Sequence, residues 1–208
     1  MDEQTAPRIS NYQYLEIIYL FIVPVVLIYF NIIPIEWRAI VLMVVSIIIF
    51  RIMRHGKWTR EMMGLAHTAR VPALIVYGIA TVLGVVLIKR YAQSVGFAPL
   101  DLSDLSQSWQ LLLFFIPLSV LQEVAYRGFL VQRLKEFSFA KWQRIAMNAA
   151  LFTLLHIIYP FPHIMLPLAF VGGVIFAVLY EKYPDLLLIC VMHAAVNFTA
   201  VLFGFFTP

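Results

Sequence analysis

The sequence predicts an all-α polytopic membrane protein. Hydrophobic residues make up 62% of its 208 residues, and charged residues make up only 12%. About a quarter of the residues in a soluble domain are charged, so this chain has too few for a surface exposed to water. Its apolar stretches approach the roughly 20 residues that an α-helix needs to cross a bilayer.

Breaks at Pro, Gly and clusters of charge divide the chain into seven predicted transmembrane helices. They lie near residues 12–31, 38–53, 72–90, 108–133, 142–159, 163–181 and 185–206. The second is short, which fits a shallow position, and the fourth is long, which fits a helix that protrudes or bends at Pro117. No internal repeat or low-complexity linker is found, so we expect a single membrane domain over residues 1–208.

The distribution of Lys and Arg predicts the orientation of these helices. One side collects Arg8, Arg51, Arg54, Lys57, Arg60, Arg70, Arg127, Arg133, Lys135, Lys141, Arg144 and Lys182; the other side has Arg38, Lys89 and Arg90. The positive side faces the cytoplasm, which predicts a cytoplasmic N-terminus and a C-terminus outside. The basic segment 51–72 is then a cytoplasmic loop, either solvated or lying on anionic lipid.

The remaining composition excludes several classes of protein. The one cysteine, Cys190, excludes an internal disulfide and a cysteine-rich metal site. No basic patch interleaved with aromatic residues indicates a nucleic-acid partner. The polar N-terminus, MDEQTAPRISNYQYLE, does not have the pattern of a cleaved secretory signal.

Three of the predicted helices contain polar residues, which are costly inside a bilayer and usually mark function. The fourth helix has Gln122, Glu123 and Arg127 within LQEVAYRGFL; the fifth has Phe152 and His156 within FTLLH; the seventh has His193 and Asn197 within HAAVN. Residues four apart share one face of a helix, so each pair points to one place.

These polar residues also agree in depth. Glu123 lies 12 residues before Lys135, His156 lies 12 after Arg144, and His193 lies 11 after Lys182. At 1.5 Å per residue, the three lie about 16–18 Å from the basic flank, near the middle of the membrane. We therefore expect one site. Taken singly, each could be an interhelical hydrogen bond or a structural ion pair.

In their order and spacing the motifs resemble the CPBP family of CAAX prenyl proteases and bacteriocin-processing or immunity enzymes, also called glutamic intramembrane proteases. That family carries E-E-x-x-x-R, F-x-x-x-H and H-x-x-x-N, and this chain reads QEVAYR, FTLLH and HAAVN. The resemblance covers about residues 108–200, so 108–206 is the expected catalytic core and 1–107 is without motifs.

The resemblance implies a catalytic role for five residues. Position 122 would be the general base, which activates a water molecule together with His156. His193 and Asn197 would stabilise the oxyanion of the tetrahedral intermediate. Glu123 completes the acidic pair, and we expect it to pair with Arg127, while Tyr126 and Phe152 support the site.

Gln122 departs from the family pattern, because an amide can hold a water molecule but cannot take its proton. It is an engineered inactivating change, a natural variant in which Glu123 acts, or the mark of a pseudoenzyme. We expect a mechanism without metal. A zinc site of Glu123, His156 and His193 is the alternative, although the chain has no HExxH motif.

The resulting prediction is an intramembrane endopeptidase that acts on a membrane-embedded or membrane-anchored peptide. A C-terminal sorting tail, a leader or a CAAX-like segment would fit. The short chain favours a bacterial inner membrane by analogy. The rival predictions are a non-catalytic scaffold or immunity protein of the same fold and, with less support, a proton-coupled transporter.

Overall fold

A computed structural model describes residues 11–66, 71–99 and 105–206, and their side chains except at 11 and 105–113. This part of the chain forms seven helical segments and no strands. They are α1 (residues 11–29), α2 (Arg38–His55), α3 (Val71–Ser94), α4 (residues 105–136), α5 (Lys141–Leu155), α6 (Pro162–Lys182) and α7 (Leu186–Leu202). The all-α prediction is confirmed, and each segment overlaps its predicted helix.

Two of the segments contain a stretch of π-helix. In α1, the π turn Ile18–Ile22 comes just before Pro24, which has no N–H to donate to the preceding turn. In α4, Val124–Leu130 is π-helical and follows directly after Glu123. Such wide turns are rare and often occur at functional sites, because they shift the side chains that follow around the axis.

Four of the described helices have the length and apolar composition to cross a membrane. They are Tyr12–Tyr29, Val71–Ser94, Phe114–Glu136 and Pro162–Lys182. Leu186–Leu202 is apolar but shorter. The protein is therefore an integral membrane protein, whereas the number of crossings and the orientation remain predictions. Arg8 and Arg70, which contribute to that orientation, lie outside the described residues.

The second half of the chain packs as a bundle around the middle of α4. Helix α5 lies along α6, and α7 packs against both α3 and α4. The α5–α6 contact is close: a Cβ at Gly173 would lie 3.1 Å from Ala149 Cα and 3.2 Å from Phe152 Cδ1. Glycine at this position lets the two backbones approach each other.

The N-terminal segments contact this bundle near the C-terminal end of α4. Arg133 of α4 forms an ion pair with Glu16 of α1 at 2.8 Å, and its guanidinium lies 5.3 Å from the ring of Trp58. Trp58 in turn stacks on Phe129 at 5.4 Å between ring centroids. Helix α1 and the segment after α2 thus cover the π-helical turn of α4.

The described part of the basic segment after α2 is neither a plain solvated loop nor one that lies only on lipid. The amide of Leu186 at the start of α7 donates a hydrogen bond to the Gly64 carbonyl at 2.8 Å. The Tyr180 hydroxyl donates to the Met63 carbonyl at 3.3 Å. These two hydrogen bonds dock residues 63 and 64 on α6 and α7, which the charge pattern alone could not indicate.

Candidate active site

Glu123 lies at the centre of the candidate site and is completely buried. Its Oε1 accepts hydrogen bonds from Arg127 Nη1 at 2.7 Å and from His193 Nδ1 at 2.5 Å. The expected pairing of Glu123 with Arg127 is present. The contact with His193 adds a link between α4 and α7, so two of the predicted motifs meet at one oxygen atom.

Arg127 is also fully buried, and aromatic rings surround its charge. Its guanidinium carbon lies 4.7 Å from the ring centroid of Phe152 and 5.2 Å from that of Phe176. Its Nη2 donates to the Gly173 carbonyl at 3.4 Å. A cation on ring faces, with one carboxylate as its partner, is a stable arrangement for a buried charge, and it connects α4 to α5 and α6.

His156 lies at the C-terminal end of α5, where its Nδ1 donates to the Phe152 carbonyl at 2.9 Å. A carbonyl oxygen only accepts hydrogen bonds, so this bond assigns the proton to Nδ1 and leaves Nε2 for other partners. The ring of Phe152 lies 4.8 Å from that of His156 and 5.5 Å from that of His193. Phe152 therefore packs against both histidines, and its supporting role in a reaction remains a prediction.

Asn197 is held by a residue that the motifs did not indicate. Its Nδ2 donates to Ser119 Oγ at 3.0 Å, and Ser119, which is fully buried, donates to the Phe115 carbonyl at 2.8 Å. Ser119 lies one turn before Glu123, on the same helix face. That four-residue spacing was the available signal, but serine is common in membrane helices and its hydroxyl often bonds to its own backbone.

Two cavities border this site, and the predicted residues divide between them. His156, His193 and Asn197 line one of about 470 Å³, counted with its open mouth, together with Phe205 and Phe206. This cavity brings the two histidines and the asparagine together, whereas Glu123, the third residue of the predicted common depth, does not line it.

Gln122 lines the other cavity, of about 620 Å³ with its mouth, whose lining also includes Tyr126, Tyr159 and Arg38. Gln122 is buried, and within the described part of the chain its Oε1 has no hydrogen-bond partner and no hydrogen bond joins it to His156. The water molecule that these two residues were predicted to share thus remains a prediction. The Tyr126 hydroxyl donates to the Leu151 carbonyl at 3.2 Å, so this residue packs in the wall.

The side chains do not form the alternative zinc site. Within the described part of the chain, no three His, Cys, Asp or Glu side chains are grouped so that they could hold a metal ion. Nδ1 of His156 is bonded to the backbone, and Nδ1 of His193 is bonded to Glu123. These bonds leave Nε2 of each ring open, as in many zinc sites, so what speaks against a zinc site of Glu123, His156 and His193 is the lack of such a group among the described side chains and not the Nδ1 contacts. A mechanism without metal remains a prediction.

Fold and site together define a polytopic membrane protein with a polar site among its helices. Residues 104–199, somewhat less than half of the chain, match the family model described as Type II CAAX prenyl endopeptidase Rce1-like. No curated protein and no solved structure matches the chain. The match shows that residues 104–199 are similar to the Rce1-like, CPBP family, in agreement with the resemblance that the motifs indicated. This similarity indicates a protease.

Proposed function

We propose that this protein has the site of an intramembrane endopeptidase, and that it binds a membrane-embedded peptide but hydrolyses it slowly. The observation that carries the proposal is that neither Gln122 nor Glu123 presents a carboxylate to either of the two cavities. Position 122 is an amide. At position 123, Oε1 is occupied by Arg127 and His193, and Oε2 is buried with no partner among the described residues.

In hydrolysis, the oxygen of a water molecule bonds to the scissile carbonyl carbon and its proton passes to a base. The carbon–nitrogen bond then breaks, and the amine leaves with a proton. Gln122 Oε1 can orient that water molecule by accepting a hydrogen bond, but it cannot take the proton. Nε2 of His156 could accept this proton instead. We expect hydrolysis to be slower by this route, because no carboxylate lies beside the imidazole to stabilise the positive charge that it gains.

His193 and Asn197 suit the oxyanion role. Glu123 fixes the ring of His193 through Nδ1, which leaves Nε2 for a ligand in the shared cavity. Ser119 fixes the amide of Asn197 in the same way. To donate to an oxyanion from Nε2, the ring of His193 must carry a proton on both nitrogens. Donors held in place before the reaction stabilise a developing negative charge without reorganisation, and one such donor typically contributes about 10²–10³ in rate.

The substrate is a peptide that is membrane-embedded or membrane-anchored: a C-terminal tail, a leader or a CAAX-like segment. Both cavities are lined mainly by apolar side chains from membrane-spanning helices, which favours an apolar peptide. We place the protein in a bacterial inner membrane with its N-terminus in the cytoplasm.

The experiment compares the chain with Gln122→Glu, both purified in detergent, on candidate membrane-tail and prenylated peptides, with products identified by mass spectrometry. We expect Gln122→Glu to raise cleavage by about 10²-fold or more, which is the lower range for a positioned acid–base group. Gln122→Glu combined with His156→Ala is the control and should lose this gain.

Equal cleavage by both forms would contradict the proposal and assign the chemistry to Glu123. Binding of a peptide by both forms without cleavage by either would favour the second candidate, a scaffold of the same fold. The specific observation in favour of that candidate is the amide at position 122.

A further inference from the structure

One side of α2 is exposed along most of the helix and changes in character near its C-terminal end. Each member of this side lies three or four residues from another, so they share one helix face: Ile40, Val44, Ile47, Ile48, Arg51, Arg54 and His55. All seven are exposed. We call this face the α2 strip. It is apolar over its first part and basic over its last three residues.

The opposite side of α2 holds the strip in a fixed position. Val45, Ile49 and Met53 are buried in a cluster that also contains residues of α1 and α4. After the helix, Trp58 stacks on Phe129 of α4. The side chains of the strip therefore project from a backbone that is already packed, and a ligand does not have to order it.

The basic end of the strip has no counter-charge among the described side chains. The arginines of α4 and α5 form ion pairs with glutamates, whereas Arg51 and Arg54 form none. The guanidinium carbon of Arg54 lies 6.0 Å from the ring centroid of Phe50, which is also exposed. Together with His55, the two arginines line an open recess of about 700 Å³, counted with its mouth. Guanidinium groups bind phosphate through parallel hydrogen bonds, so the recess is suited to a phosphate.

The apolar part of the strip indicates that this phosphate belongs to a lipid. Ile40 and Ile48 are eight positions apart, which corresponds to about 12 Å along the helix. This length fits within one leaflet, whose hydrocarbon layer is about 15 Å thick, half of a roughly 30 Å core. An acyl chain would cover the exposed isoleucine and valine side chains while the phosphate reaches Arg51. A free phosphate would leave these apolar side chains uncovered.

We infer that the α2 strip binds one molecule of an anionic glycerophospholipid from the leaflet on the positively charged side of the protein. Arg51 and Arg54 hold its phosphate by charge-assisted hydrogen bonds, and the ring of His55 offers one more donor. The acyl chains lie along the apolar part of the strip. The inference does not depend on the proposed function, because the strip contains none of the candidate active-site residues.

The experiment counts the lipid molecules that the full chain retains when native mass spectrometry releases it from maltoside micelles. Binding of dioleoyl-phosphatidylglycerol is compared with that of dioleoyl-phosphatidylcholine, which has the same acyl chains but no net charge. A cationic side chain near a membrane surface contributes about fivefold to the binding of an anionic lipid, so two contribute about 25-fold. We therefore expect one phosphatidylglycerol per chain, bound about 25-fold more tightly than phosphatidylcholine.

Arg51→Gln combined with Arg54→Gln should remove this preference. Arg51→Lys combined with Arg54→Lys should keep part of it, because the charges remain and the parallel hydrogen bonds do not. The matched control is Lys57→Gln combined with Arg60→Gln, which removes two exposed charges from the same end of the molecule but beyond α2. This control should keep the preference. Thermal unfolding of each variant shows whether it is folded.

Equal losses in the two glutamine double variants would overturn the inference, because they would indicate a general attraction of the basic side for anionic lipid. Equal binding of the two lipids by the unmodified chain would overturn it too. Glycerophosphoglycerol, which is the headgroup without acyl chains, and a soluble acidic peptide serve as competitors. We expect neither to displace the lipid at equal concentration. Displacement by either would contradict the inference and assign the site to a soluble anion or to an acidic protein segment.

Discussion

Removing the charge of Glu123 should destabilise the protein more than any single substitution at a partly exposed ion pair. Glu123→Gln keeps the shape of the side chain but leaves Arg127, which is completely buried, without a carboxylate. Breaking a buried pair from one side typically costs about 3–5 kcal/mol, because the remaining charge is uncompensated. His193 then donates from Nδ1 to a neutral amide oxygen at best, which is a weaker acceptor than the carboxylate. We expect a loss of about 4 kcal/mol in the free energy of unfolding.

A double-mutant cycle separates the uncompensated charge from the loss of packing. Glu123→Gln is combined with Arg127→Met, which removes the cation and keeps an apolar side chain between Phe152 and Phe176. The double variant should be more stable than Glu123→Gln, because replacing both members of a buried pair is often close to neutral. Unfolding is followed by circular dichroism as sodium dodecyl sulfate is titrated into mixed micelles.

The matched control is Glu136→Gln. Glu136 pairs with Arg133 at 2.5 Å but is partly exposed, and Arg133 keeps Glu16 as a second partner. We expect a change below about 1 kcal/mol. The reasoning would be refuted if the stability losses of Glu123→Gln and Arg127→Met, each measured alone, simply added in the double variant. It would also be refuted if Glu136→Gln were as destabilising as Glu123→Gln.

Two further predictions concern positions that surround the site. Ser119→Ala removes the acceptor that holds Asn197, so in a Gln122→Glu background we expect kcat to fall about 10-fold with little change in KM. A rise in KM alone would argue against a positioning role. Gly173→Ala places a Cβ 3.1 Å from Ala149 Cα and should cost about 1–3 kcal/mol. Gly172→Ala, where nothing lies within 4 Å, should be neutral or slightly stabilising, and equal effects at the two glycines would contradict this.

The positions of the helices could be predicted from the sequence because hydrophobic length and helix breakers are local properties. Observed helix α6, Pro162–Lys182, differs from its prediction by one residue at each end. The pairing of Glu123 with Arg127 was predictable for the same reason, since residues four apart on one helix are neighbours.

Contacts between helices could not be predicted in this way. The bond from His193 to Glu123 depends on the packing of α7 against α4. The separate cavity of Gln122 depends on the angle of about 100° between consecutive residues, which turns it away from Glu123. The docking of residues 63 and 64 on α6 and α7 uses backbone carbonyls, which carry no sequence signal.

The docking of residues 63 and 64 on α6 and α7 also has a consequence for the folding of the chain during synthesis. The carbonyl of Gly64 accepts the amide of Leu186, and the ring of Trp58 covers Phe129. Gly64 and Trp58 are synthesised before α4 and α7, the helices that they contact, since a chain emerges from the ribosome N-terminus first. A gene fragment trimmed to the family-matched residues 104–199 would encode the motifs without their partners. Such a fragment would lack the contacts that Trp58 and Gly64 make with α4 and α7.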